Sequence, residues 1–248
     1  MVASSAALYK AHVKNLRAVN TALERVFREL NGSLARGDHI TADAFLKTGM
    51  LLLGGWAENR LRKLTYEPNG FSAAERTAIR ASNSQLDAWK VALELGFRKR
   101  YVLPNAHLLA ALPITPRSYY QTLSGVIENE LKPIIEIRNK LAHGQWSRTL
   151  NSENDDFSPA LMASINNENA HTVKCKMRIL ESMARLIHDL VAGNHAFERD
   201  FDSHFRNLEN AKRDISARSY NDWLQSMQAK FQRGRQARNI PSGGVPPV

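Results

Sequence analysis

The chain has 248 residues, 43% of them hydrophobic, enough for a packed core of one large or two small units and too many for wholesale disorder. Its 34 Lys and Arg against 24 Asp and Glu give +10 with histidines neutral, which favours a polyanionic partner, and its longest apolar run, 50–57, holds two glycines and is far short of the ~20 residues that span a bilayer. A single cysteine, Cys175, excludes an internal disulfide, and with a start that lacks the basic and apolar parts of a secretory signal the expected location is cytoplasmic, with no membrane partner.

Nine prolines and thirteen glycines are few for this length, and sustained alternation of apolar residues is absent, so the fold class is all-α. The stripe Leu8, His12, Leu16, Val19, Leu23, Val26, Leu30 predicts a first helix over 4–30, ended by Asn31-Gly32. A second, over 41–66, carries Phe45, Leu46, Met50, Leu53, Trp56, Leu61 and Leu64 and stops before Pro68; its wide apolar arc places it centrally. Ser72 and Glu75 make a capping box, each satisfying an orphan amide, that opens a third helix running to Leu95-Gly96. Three prolines mark 97–116 as a connector, and Thr115-Pro116 as the cap and first residue of a fourth helix. That helix carries Leu123, Ile127, Leu131, Ile134, Ile137 and Leu141, is kinked at Pro133 and is ended by Gly144. A short hairpin is expected from 146–150 and 157–165, then a helix over 168–192 closed by Gly193. Phe197, Phe201, Phe205 and Leu208 form another helical stripe, followed by a segment with Trp223, Leu224 and Phe231. Beyond Gln232 three arginines, no acid and a Pro-Gly-rich end read as a basic disordered tail. The expected organisation is a helical domain over 1–195, a helical extension packed on it over 196–232, and the tail over 233–248.

Chemistry gathers in Arg138-Asn-Lys-Leu-Ala-His143. At ~100° per residue Arg138 falls on the flank of the fourth helix's apolar face, where a cation needs a carboxylate or phosphate partner. Asn139 and His143 share a face, so the amide is expected to bond the imidazole and bias its tautomer. A guanidinium suited to phosphate and an imidazole suited to proton transfer thus lie within one and a half turns. Two other stretches fit the bare spacing. In Arg100 to His107, Pro104 interrupts a helix; in Arg199 to His204, the His lies beside Phe201 and Phe205 while the Arg points away, which reads as core and surface.

The segment from Arg138 to His143, with Asn after the Arg, Gly after the His and a long helix before it, resembles the Arg-His motif of the HEPN superfamily. The resemblance spans 1–195 as architecture and 136–146 as a motif. It implies an up-and-down helical bundle that pairs as a homodimer, with two motifs facing one cleft, and an endoribonuclease that needs no metal and no cofactor. It also implies a toxin or host-defence role with a cognate inhibitor or antitoxin. Carried over, Arg138 stabilises the phosphate, His143 is the general acid or base, and Asn139 orients them. The stretch from Trp56 to Leu61 resembles an aromatic-acid-basic helix of some HEPN groups. Glu58 within it is expected either to orient Arg138 or to pair with Arg62 one turn on. Lys140 and the basic run Arg98, Lys99, Arg100 are expected to bind RNA. His188, His195, Asp200 and His204 match no standard metal spacing, so no metal residues are assigned. Cys175 between two lysines reads as packing or as a reactive thiolate. The rival class is a non-catalytic helical module binding nucleic acid or protein by the same basic surface; a structural partner protein would have no RNA affinity.

Overall fold

The computed structural model describes residues 3–103, 107–193 and 195–239, and every regular element within them is a helix. Pro104 and the end of the tail, 240–248, lie outside the described residues.

Helices α1 (Ser5–Arg36) and α2 (His39–Thr65) form a long hairpin. The Ser4 hydroxyl caps α1, and the helix runs past Asn31-Gly32 to stop at Gly37 with φ 73°. It continues because Ser33 and Leu34 are buried, and the burial of that extra turn outweighs a glycine's helix penalty of ~1 kcal/mol. The wide apolar arc of α2 does place it centrally: Met50, Leu53, Trp56, Ala57, Leu61 and Leu64 are all in the core.

The expected third helix divides. Ser72 and Glu75 make their capping box, but α3 (Ala73–Arg80) ends after two turns and α4 (Gln85–Arg100) begins afresh from Ser84, whose hydroxyl accepts from the Asp87 amide at 3.0 Å. Short polar side chains in Ser82-Asn83-Ser84 compete for the backbone and favour this break. Gly96 ends nothing: a Cβ there would lie 2.9 Å from Leu190, so the glycine admits that side chain. The residues 97–100 are helical, not a connector, because Trp89, Leu93 and Phe97 continue one buried stripe and Phe97 packs edge-on against Tyr120 and Phe197.

After the short α5 (Leu108–Ala111), α6 begins at Ile114 rather than Pro116 and runs to Val126. One π-helical turn, Ile127–Leu131, then leads into α7 (Lys132–Ala142). Pro133 has no N–H to offer the preceding turn, and the wider loop, with Lys132 N–H reaching the Ile127 carbonyl, accommodates its ring. The hairpin reduces to a single bridge between Leu150 and Phe157; residues 159–166 are instead α8, with Pro159 at its first position. Next come α9 (Ala170–Ala192), α10 (Ala196–Ala217) and α11 (Tyr220–Asn239). Phe197, Phe201 and Leu208 of α10 enter the main core, so this part of the extension shares the domain's core, while Met227 of α11 joins a smaller cluster with Leu30 and Leu34. Helix α11 passes the expected tail boundary at 233.

A polar knot ties α1, α2 and α9 together. Glu67 accepts from Tyr9 at 2.8 Å, pairs with Lys63, and faces His188 at 3.5 Å. Burial pulls its carboxyl upward, but hydrogen bonds from His188, Lys63 and Tyr9 outweigh that and hold it at about 2. His188 is in turn raised by its hydrogen bonds to Asp189 and Glu67. A depressed carboxylate contributes stability above its ordinary pKa of 4.5 that is lost as pH falls toward 2, whereas the raised imidazole contributes below 6.5 and is lost once pH passes its raised value. Glu67→Gln should therefore cost about 1–3 kcal/mol near pH 6. Urea unfolding of both forms should show that gap closing as pH drops through 4.5 toward 2; a gap independent of pH would remove the carboxylate from this role.

Candidate active site

The motif occupies the last turn of α7 and its cap. Gly144 adopts φ 76°, its N–H bonds the Leu141 carbonyl at 3.1 Å, and the Gln145 N–H bonds the Lys140 carbonyl at 3.0 Å. These bonds finish the helix in a left-handed cap, which leaves His143 at φ −89°, ψ 15° and exposed to solvent. The buried face of α7, Ile134, Ile137 and Leu141, fixes the helix against the core and sets Arg138 on its flank, half-buried.

Arg138 crosses α2 at Gly54. A Cβ on that glycine would stand 2.4 Å from the Arg138 Cβ and 2.5 Å from its Cγ, so only glycine leaves room for the stem. One turn further along α2, Glu58 Oε2 accepts from Arg138 Nη2 at 3.0 Å while Oε1 pairs with Arg62. Both partners expected for Glu58 are thus engaged, one on each oxygen. On the other side Arg138 Nη1 donates to Asn139 Oδ1 at 3.0 Å. These bonds use two of the five guanidinium N–H groups. With side chains 31% and 26% exposed, the Arg138–Glu58 pair adds about 1 kcal/mol of stability at most; its larger effect is to aim the guanidinium. The Asn139 oxygen serves Arg138, and no Asn139–His143 hydrogen bond of the expected kind is formed among the described residues.

Asn139 and His143 line an open cavity of about 670 Å³ together with Glu136, Lys140, Gln145 and Asn151. Its far wall is the loop after α7. Gln145 Oε1 accepts from the Leu150 amide at 2.8 Å, and Lys140 Nζ donates to the Leu150 carbonyl at 2.7 Å. The ammonium expected to contact RNA therefore holds this wall in place while still facing the cavity. The amide and the exposed imidazole face this cavity, while Arg138 is not among the residues that line it and holds its guanidinium toward α2 at the same helix end; an exposed imidazole can move a proton and a guanidinium can hold a phosphate.

The basic run lies elsewhere. Arg98 Nε bonds Glu94 at 2.8 Å, Lys99 bonds the Asn69 carbonyl at 2.7 Å, and Arg100 Nε bonds Glu198 at 3.0 Å, where the Tyr101 hydroxyl also donates. Lys99 and Arg100 tie α4 to the loop after α2 and to α10, while the Arg98–Glu94 pair lies within α4 itself. In the second motif-like stretch Arg199 pairs with its neighbour Asp200 and His204 faces Asp189 at 3.5 Å, a structural use of both. Cys175 is buried, and burial pushes its thiol up, which fits packing. Gly54 has no place in the expected site; its signal in the sequence is a glycine pair inside a strongly helical pattern, where each glycine costs ~1 kcal/mol and so needs a packing reason.

The chain matches no protein-family model, no curated protein and no solved structure.

Proposed function

We propose that the chain is an endoribonuclease of HEPN type, cutting RNA through the substrate's own 2′-hydroxyl without a metal. The observation that carries this reading is Arg138 clamped between Glu58 and Asn139 at the helix end where the His143 imidazole stands open to a cavity. In this chemistry His143 takes the proton from a ribose 2′-hydroxyl, whose oxygen attacks the adjacent phosphorus. Arg138 stabilises the charge that builds on the phosphoryl oxygens. The bond from phosphorus to the 5′-oxygen then breaks, and that oxygen takes a proton from a second acid. One Arg-His pair supplies one base, and two-fold pairing of chains supplies the acid by symmetry, so the reading includes a homodimer built around α7. A net charge of +10 favours the polyanionic substrate, and restraint by an inhibitor protein suits a toxin or defence enzyme of this kind.

The test is chemical. With purified protein and RNA, products should carry a 2′,3′-cyclic phosphate on one fragment and a 5′-hydroxyl on the other, chelators should have no effect, and deoxyribose at the scissile position should block cutting but not binding. Cleavage abolished by a chelator and restored by Mg²⁺, or 5′-phosphate ends, would defeat the mechanism. RNA binding with no cleavage would leave a non-catalytic module.

A further inference from the structure

Glu58 also lines a second cavity, of about 480 Å³, enclosed by α1, α2, the turn after α3 and the start of α4. Two cations face it, Arg62 and Arg80, over an apolar floor of Leu61, Ile79 and Ala88. One wall is the stacked pair His12 and Tyr66, ring centroids 5.4 Å apart. His12 Nδ1 and Ser82 Oγ, from residues on this cavity, are buried polar atoms without hydrogen-bond partners among the described residues. Burial and the Arg62 charge hold the His12 imidazole below its ordinary pKa, so it adds a polar edge rather than a third charge.

Two contacts join this cavity to Arg138. Glu58 presents one carboxylate oxygen to Arg62 and the other to Arg138, which sets the two guanidinium groups one carboxylate and two hydrogen bonds apart, on the order of 7 Å. Successive phosphates along an extended strand are separated by a distance of that order. The single negative charge of Glu58 is shared by two arginines, so a cationic excess remains, and Arg80 adds to it. The second contact is Gln85 Nε2, which donates to the carbonyl of Gly54, the residue beneath the Arg138 stem, at 3.4 Å.

We propose that this cavity receives the nucleotide next to the cleaved phosphodiester on the same RNA strand, with Arg62 and Arg80 on its phosphate and its base against the mixed polar and aromatic wall. The assignment rests on the nuclease reading of Arg138 and His143, and it makes the enzyme prefer strands that continue beyond the cut. The volume lies within the range of small-molecule sites, and the lining joins a small apolar floor to a largely polar rim, as a charged nucleotide requires.

The experiment uses the full chain and its double variant Arg62→Ala/Arg80→Ala, with unchanged circular dichroism as the check on folding. The ratio of kcat/KM for a ten-nucleotide RNA to that for a dinucleotide should fall about tenfold in the variant, as two charge-assisted phosphate contacts are lost. Binding of a ten-nucleotide strand blocked by deoxyribose should become less salt-dependent, by about 0.7 log units per log unit of salt, the value for one neutralised phosphate on a single strand. An unchanged ratio and an unchanged slope would overturn the assignment while leaving the nuclease intact, and so would capture of an acidic peptide, but not RNA, through these arginines. A wild-type chain that cuts nothing yet binds the blocked strand through Arg62 and Arg80 would keep the cavity assigned to RNA and remove the nuclease.

Discussion

His143→Ala should lower the rate of RNA cleavage at least ~100-fold with no change in helical content. The side chain is exposed, and the cap of α7 is made by backbone bonds around Gly144, so removing the imidazole takes away proton transfer and little else. Arg138→Ala should cost at least ~100-fold by removing charge stabilisation at the transition state. Its effect on folding should also be small, because Glu58 keeps Arg62 as a partner and a partly exposed pair is worth about 1 kcal/mol or less. Mixing wild type with an excess of His143→Ala adds a test of the dimer: a mixed pair keeps one imidazole and lacks the second, so after exchange of subunits cleavage should fall well below that of the same amount of wild type alone. No loss after exchange of subunits would remove the two-fold site, and a fully active His143→Ala chain would remove the imidazole from the chemistry altogether.

How much of this was legible beforehand depended on whether the cause was local. The stripes of α1, α2 and α9, the Ser72 capping box and the Gly144 stop are set by residues within a turn or two of one another, and they stand in the structure where the pattern places them. The errors lie where distant packing decides. Helix α1 outruns Gly32 because Leu34 is buried, Phe97 stays helical because Tyr120 and Phe197 enclose it, and 159–166 coil because a lone bridge at Leu150 cannot sustain a hairpin. The candidate site divides in the same way. That Arg138 needs an anion follows from its place on the helix flank, and Glu58 supplies it. That Lys99 and Arg100 are drawn to the Asn69 carbonyl and Glu198 does not follow from a basic run, since a solvated loop and a set of tertiary ties have the same composition. Gly54 was visible as a glycine in the wrong place, but its partner lies on a helix more than eighty residues away in sequence.

Gly54→Ala should cut cleavage about 10- to 100-fold and destabilise the fold by about 1–3 kcal/mol. The new methyl would fall 2.4 Å from the Arg138 Cβ and 2.5 Å from its Cγ, far inside contact distance, and neither atom is the loose end of a side chain. Either α2 and α7 separate or the stem of Arg138 turns, and both move the guanidinium off Glu58, which sits on the same face of α2 one turn away. A displacement of ~1 Å at a charge-stabilising group is enough for a loss of this size. Gly55→Ala is the internal control: a Cβ there meets nothing within 4 Å, so the variant should keep its activity and gain up to ~1 kcal/mol from better helix propensity. Urea unfolding separates the two effects, because cleavage measured well below the midpoint reports only folded molecules. The deficit of Gly54→Ala should then persist in kcat, while KM, set largely by contacts along the rest of the strand, moves less. A Gly54→Ala chain that is destabilised yet cuts RNA at the wild-type rate would show that the close approach of α2 serves packing alone and that Arg138 finds its place without it.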